Sequence, residues 1–154
     1  MIRALLAAGQ RGVKIDLIVR GACTLPAGVP GVSDNIRVRS IIGRFLEHSR
    51  VFYFRLGKQE HLYLSSADWM NRNMLRRIEL AWPVTDPVLR QRLIDECLVA
   101  YQLDDRDAWE LQANGSYEHV SPAGASARSA QEALMRKFGS LGSPGDSKAL
   151  SSRS

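Results

Sequence analysis

His48 and Arg50 stand two residues apart at the entrance to the apolar run Val51-Phe52-Tyr53-Phe54. Side chains at i and i+2 of an extended chain point to the same side, so the pair is expected to face one space. An arginine grips two phosphate oxygens at once through its planar fork. A histidine gives or takes a proton near neutral pH. Together they suit phosphate handling. Arg20-Gly21 follows another apolar run, at the carboxyl end of a strand where open α/β sheets bind ligands. The turn Ser65-Ser66-Ala67-Asp68 comes one hairpin after His48. Ser65 and Ser66 have two readings, hydroxyls offered to phosphate or caps of the turn. Asp68 has two as well, orienting an imidazole or capping a helical turn at Trp69-Met70-Asn71. Arg72, Arg76 and Arg77 are either further phosphate contacts or solvated surface. His61 and His119 read as structural or exposed, and Trp69, Trp82 and Trp109 as packing.

Charge supports an anionic ligand. Residues 1–60 hold ten Lys+Arg against four Asp+Glu, net +6, whereas residues 61–154 hold 11 against 12, net −1. The excess lies in the segment with Arg20 and His48, which favours phosphate, nucleotide, polyanion or nucleic acid. Other chemistries lack their motifs: no Gly-x-x-x-x-Gly-Lys-Ser/Thr loop, no Gly-x-Gly-x-x-Gly after a strand, no Gly-x-Ser-x-Gly, and no His-x-x-x-His or Cys-x-x-Cys for zinc. Two cysteines, Cys23 and Cys97, are too few for a disulfide framework and point to a reducing cytoplasmic setting. No apolar run approaches the roughly 20 residues that span a bilayer.

The elements that must position these residues read as an α/β domain. Residues 2–10 are expected to form a helix with Leu5 and Leu6 toward the core, ended by Gly9 and Gly12. Val13–Val19 alternates as a strand whose end becomes fully buried. Thr24–Ser33, with Pro26, Gly28, Pro30 and Gly31, reads as an ordered loop. Ile36–Ile42 is the next strand and Gly43–Leu46 a short helical turn. Arg50–Phe54 and His61–Ser65 form a hairpin. Arg20 and His48 are expected to converge from strand ends of one sheet. Residues 77–82 suggest a strand. Asp86-Pro87 starts a helix, with Leu89, Leu93, Ile94, Cys97, Leu98 and Tyr101 on its apolar face. Trp109–Gln112 and Tyr117–Val120 form a hairpin around Asn114-Gly115. Residues 126–138 suggest a helix with Leu134, Met135 and Phe138, and residues 139–154 a disordered tail.

Four blocks in order resemble the C-terminal portion of the histidine-phosphorylated bacterial polyphosphate kinases: Val19-Arg20-Gly21-Ala22-Cys23-Thr24-Leu25, Gly28 to Val38, Phe45-Leu46-Glu47-His48-Ser49-Arg50-Val51-Phe52-Tyr53-Phe54, and Tyr63-Leu64-Ser65-Ser66-Ala67-Asp68-Trp69-Met70-Asn71-Arg72-Asn73. The resemblance covers about residues 1–120 and implies a phospholipase-D-like half, a mixed β-sheet flanked by helices. Residues 1–121 would be that second catalytic domain and 122–154 a C-terminal helix and tail. In this family two related halves each bring a histidine to a shared site. The first-half histidine takes the terminal phosphate of ATP and passes it, reversibly, to inorganic polyphosphate. By motif, His48 would be the second, catalytic histidine and Arg20 the arginine beside it, both contacting ATP phosphates, with supporting roles open to Arg50, Ser65, Ser66 and Asp68.

The resemblance further implies ATP/ADP and polyphosphate as partners rather than nucleic acid, and a homo-oligomeric full enzyme. It implies Mg2+ with ligands outside this chain, and a location in the cytoplasm or peripheral to the inner membrane. Arg50 occupies the place of the phospholipase D signature's lysine and Arg55 that of its aspartate, which argues against a phosphodiesterase acting as a dimer. A start at Met1 inside a helix suggests a truncated frame or an excised domain, inactive alone because the nucleophilic half is missing. The alternative is a non-catalytic polyanion-binding or assembly module.

Overall fold

A computed structural model describes residues 1–122 and 127–139. Helix α1 (Ile2–Gln10) leads into strand β1 (Ile15–Ile18), and β2 (Ile36–Ile41) pairs with β1 in parallel, Leu17 opposite Val38. A parallel pair needs a crossover of a dozen or more residues. Here it is the Pro- and Gly-rich loop. Leu25 and Ala27 from this loop are buried against Ile36 and Val38, which is why it is ordered. Gly28 and Gly31 adopt φ of 62° and 74°, open to glycine without strain.

Around that centre pack Leu5 and Leu6 of α1 and Ile15, Leu17 and Val19 of the β1 segment. Ile18 falls on the opposite face and, like Val19, is only half-buried; strand alternation persists where full burial was expected. Gly9 lies inside α1 rather than ending it. A Cβ there would come within 3.2 Å of the Ile36 side chain, so glycine lets helix and sheet approach closely. Gly12, at φ 90°, makes the exit turn.

The remaining strands form two sheets where one was expected. β6 (Ala108–Leu111) pairs antiparallel with β2, and β7 (Tyr117–His119) with β6, giving the mixed order β1-β2-β6-β7. β3 (Val51–Leu56), β4 (Gln59–Ser65) and β5 (Ala81–Pro83) form a separate antiparallel sheet. The β3–β4 turn is Gly57-Lys58, with Gly57 at φ 59°, a two-residue hairpin connection. Residues 77–80 do not join β5. The side chains of Ser65 and Ser66 take the Leu80 backbone groups instead and replace the ladder there. Helix α2 (Asn71–Arg76) lies between β4 and β5.

Helix α3 (Pro87–Ile94) starts at Asp86, whose carboxylate accepts from the Leu89 amide at 2.8 Å, as an N-cap does. It runs through a π-helical turn (Asp95–Val99) into α4 (Ala100–Gln102). The wider turn interrupts the four-residue spacing of Leu89, Leu93, Cys97 and Tyr101. Leu89 is exposed and the others are half-buried. The C-terminal helix α5 spans Ala130–Gly139. Residue 126, where a helix was expected to begin, lies outside the described residues; residues 127–129 are not helical, and Ser129 accepts from the Glu132 amide as a cap. Leu134 and Met135 are half-buried and Phe138 is exposed. The tail expected from 139 lies, beyond Gly139, outside the described residues. No helix among the described residues is long and apolar enough to cross a membrane.

On the face of the mixed sheet opposite the Leu17 cluster, Arg39 of β2 donates to the carbonyls of Tyr101, Gln102 and Asp104 at 3.0, 2.6 and 3.2 Å and pairs with Glu110. Those of Tyr101 and Gln102 belong to the end of α4, where carbonyls lack the regular helical partner. Arg39→Met is expected to lower unfolding free energy by about 2 kcal/mol, measured by urea titration. Large apolar side chains are exposed through one stretch, Met74, Leu75, Ile78 and Leu80, with Ile78 97% exposed. The chain alone is therefore expected to self-associate; light scattering that shows a monodisperse monomer at all concentrations would count against this.

Candidate functional site

The candidate residues meet where the two sheets adjoin. Arg20 follows β1 of the mixed sheet, His48 and Arg50 lead into β3 of the antiparallel sheet, and Asp68 follows β4. Arg20 and His48 therefore approach from different sheets, not one. The join is made by side chains. Arg20 Nη1 donates to the Glu47 carbonyl at 2.7 Å, one residue before His48, and its Nη2 lies 3.9 Å from Asp68 Oδ2. Arg50 Nε donates to Asp68 Oδ1 at 2.9 Å. One carboxylate thus serves an arginine from each sheet.

Arg50 also reaches back along its own strand. Its Nη1 donates to the His48 carbonyl at 3.0 Å and lies 3.1 Å from His48 Nδ1, while Nη2 lies 3.4 Å from Nε2. The pair does share one side, as the two-residue spacing implied. Asp68 does not touch the imidazole directly; it acts through Arg50, and it caps no helix, since α2 begins without a side-chain cap. The Arg50 hydrogen bond holds the Asp68 carboxyl below its usual range despite partial burial, and the charges of Arg50, Arg20 and His48 add to this, each favouring the ionised form. His48 is exposed.

Ser65 and Ser66 take the turn-capping reading. Ser65 Oγ donates to the Leu80 carbonyl and accepts from the Ala67 amide, each at 3.0 Å. Ser66 Oγ donates to Glu79 and accepts from the Leu80 amide. Glu79 also accepts from Asn73 Nδ2 at 2.7 Å. The Ser66 and Asn73 hydrogen bonds hold its carboxyl below the usual range. Arg72 and Arg76 are exposed, and Arg77 lies 3.6 Å from Glu79. Trp69 stacks on Phe52 with centroids 5.0 Å apart, as packing. His61 is exposed on β4. His119 Nε2 donates to the Arg106 carbonyl at 2.7 Å and its ring meets Trp109 edge-on.

Three residues with no expected site role hold the His48 segment from behind. The Glu47 carboxylate accepts from Tyr101 Oη at 2.9 Å and from Gln131 Nε2 at 2.6 Å. Burial first, and this bond second, push the Tyr101 phenol well above its ordinary value. Buried Gln131 of α5 also accepts from the Phe45 amide at 2.9 Å and donates to the Phe45 carbonyl at 2.7 Å. These bonds hold residues 43–45 in a bend rather than the expected helical turn. A Cβ on Gly43 would fall 2.5 Å from Gln131 Oε1, so a side chain there would have to displace the Gln131 amide. The one sequence signal for Gln131 was the cap pattern Ser129-x-x-Glu132, which places residue 131 in a first helical turn.

Asp68 thus holds one arginine from each sheet of a mixed α/β scaffold, with the exposed His48 beside Arg50. Residues 1–131 match the family model described as polyphosphate kinase C-terminal domain 2. The chain is 55% identical over 139 residues to a polyphosphate kinase of Pseudomonas aeruginosa and 52% over 138 residues to one of Burkholderia multivorans, in each case over 90% of this chain and 20% of the relative. A crystal structure of polyphosphate kinase from Porphyromonas gingivalis superposes with a TM-score of 0.81 at 39% identity, over 91% of this chain and 21% of that one. The chain belongs to the polyphosphate kinase C-terminal domain family. It spans about a fifth of the length of these relatives.

The Asp68 pairing has a pH signature. An Asp titrates near 3.9 when unfolded, and the folded value is lower. The pairing thus contributes fully above that range and is lost as pH falls through the folded value. Asp68→Asn is expected to be about 1 kcal/mol less stable than the parent at neutral pH, with the difference in urea midpoints closing toward pH 2. A difference that stays constant with pH would contradict the assignment.

Proposed function

We propose that this chain is the phosphate-gripping half of a polyphosphate kinase, an enzyme that moves the terminal phosphate of ATP reversibly onto inorganic polyphosphate through a phosphohistidine. The observation that carries this is the convergence of Arg20 and Arg50 on Asp68, with His48 held beside Arg50, in a chain of this family. In the two-halved, phospholipase-D-like arrangement, a histidine nitrogen of the other half attacks the terminal phosphorus. The phosphorus–oxygen bond to ADP breaks, and ADP leaves with that electron pair. In the second transfer the polyphosphate end attacks and the histidine is released. Arg20 exchanges its Glu47 carbonyl contact for phosphate oxygens, and His48 hydrogen-bonds the transferring group.

The nucleophile is not proposed in this chain, because His61 and His119 are positioned outside the cluster. Nor do the residues here fit a magnesium site. Among the described residues no three His, Cys, Asp or Glu side chains gather to hold a metal, and the Asp68 oxygens face arginines. The Mg2+ of the full enzyme takes its ligands elsewhere, and the full enzyme is a homo-oligomer. A second reading, a polyanion-binding module without catalysis, shares the same surface and is favoured by the net +6 of residues 1–60.

Both readings are tested together. Purified chain is expected to bind polyphosphate with an affinity that falls steeply with salt and is about tenfold weaker in Arg20→Ala. With γ-labelled ATP it is expected to form neither labelled His48 nor polyphosphate. Label on His48 would overturn the division of labour between halves, and absence of salt-sensitive binding would overturn the phosphate site.

A further inference from the structure

Arg50 is not placed as a free phosphate clamp. Two of its three nitrogens donate, Nε to Asp68 Oδ1 at 2.9 Å and Nη1 to the His48 carbonyl at 3.0 Å, with His48 Nδ1 3.1 Å from Nη1 and Nε2 at the longer distance of 3.4 Å from Nη2. The side chain is 17% exposed, whereas His48 is open to solvent. A guanidinium carries only donors and does not deprotonate in proteins, so a ring nitrogen bonded to it must present a lone pair. A neutral imidazole has one such nitrogen. The shorter contact, made by the Nη1 that also bonds the residue's own carbonyl, assigns that role to Nδ1.

We propose that Arg50, anchored by Asp68, is a positioning residue that fixes both the rotamer and the tautomer of His48, leaving Nε2–H as the group offered to a phosphate oxygen. The last clause rests on the phosphate-binding reading above; the positioning role does not. It gives physical content to arginine at residue 50. A lysine ammonium is a compact point charge and cannot hold a carboxylate, a carbonyl and a ring in one planar fork. It also gives Asp68 a role distinct from direct orientation of the imidazole. The carboxylate is the fixed point from which the arginine is aimed, and its second oxygen faces Arg20.

The test is nitrogen-15 NMR of the full chain with labelled histidine rings, above the histidine titration range near 6.5. His48 is expected to show one tautomer, protonated at Nε2, and one side-chain rotamer from its Cβ-proton couplings. In Arg50→Lys and in Asp68→Asn both signatures are expected to relax toward the averaged values of free histidine, while His119, held on the Arg106 carbonyl, stays unchanged and reports an intact fold. Protonation at Nδ1 in the parent chain overturns the proposal without any variant. So does an Arg50→Lys chain, folded by the His119 criterion, whose His48 tautomer and rotamer are those of the parent. Adding polyphosphate then separates the two readings. A shift at His48 Nε2 supports its contact with phosphate. A fixed tautomer with no shift leaves positioning intact and refutes the phosphate contact.

Discussion

The site depends on one carboxylate shared between two sheets. Asp68 follows β4, yet it faces Arg50 from the antiparallel sheet and Arg20 from the mixed sheet. Without it, two guanidinium groups would face one another beside an exposed histidine, and their repulsion would open the seam where the sheets adjoin. With it, the like charges are held close to one another. A carboxylate has lone pairs enough for both arginines, and the 3.9 Å separation to Arg20 is looser than the 2.9 Å bond to Arg50. The tight partner also holds the imidazole, and the looser one is anchored instead on the Glu47 carbonyl at 2.7 Å.

Behind that front layer the protein spends an unusual number of polar bonds on a short segment with little regular structure. Residues 43–47 lie in neither helix nor strand. Their backbone and Glu47 are held by Arg20, Tyr101 and Gln131. Gln131 is buried with its amide bonded on both sides, so its polar atoms are satisfied rather than stranded. The segment gains from side-chain bonds the order that a hydrogen-bonded ladder gives a strand. That order fixes the backbone that leads into His48.

Local elements were legible because their signals are local. Asp86-Pro87 capped its helix, Asn114-Gly115 closed a hairpin, and the Pro- and Gly-rich loop proved an ordered crossover. The expected α/β class was borne out. The division into two sheets was not legible, since alternation shows that a segment is a strand and not which strand it pairs with. β2 takes β6, far along the chain, as its neighbour, Arg39 opposite Glu110. Grouping Arg20, His48, Arg50 and Asp68 was within reach of spacing and charge. That Asp68 would hold Arg50 rather than the imidazole was not, because sequence gives proximity without direction. Gln131, 86 residues from Phe45, carried only a helix-cap pattern and nothing about what that helix would touch.

The Gln131 contact makes the last described helix a splint for the histidine segment. Two bodies joined by such bonds share their fluctuations, so ordering one lowers the cost of ordering the other. The exchange is reciprocal: an anion seated on His48 would tighten α5, and any partner that peeled α5 away would loosen the histidine by the same free energy. The last described helix, 86 residues from Phe45 in sequence, is thereby placed where it can act as a brake or a release on the segment that carries His48.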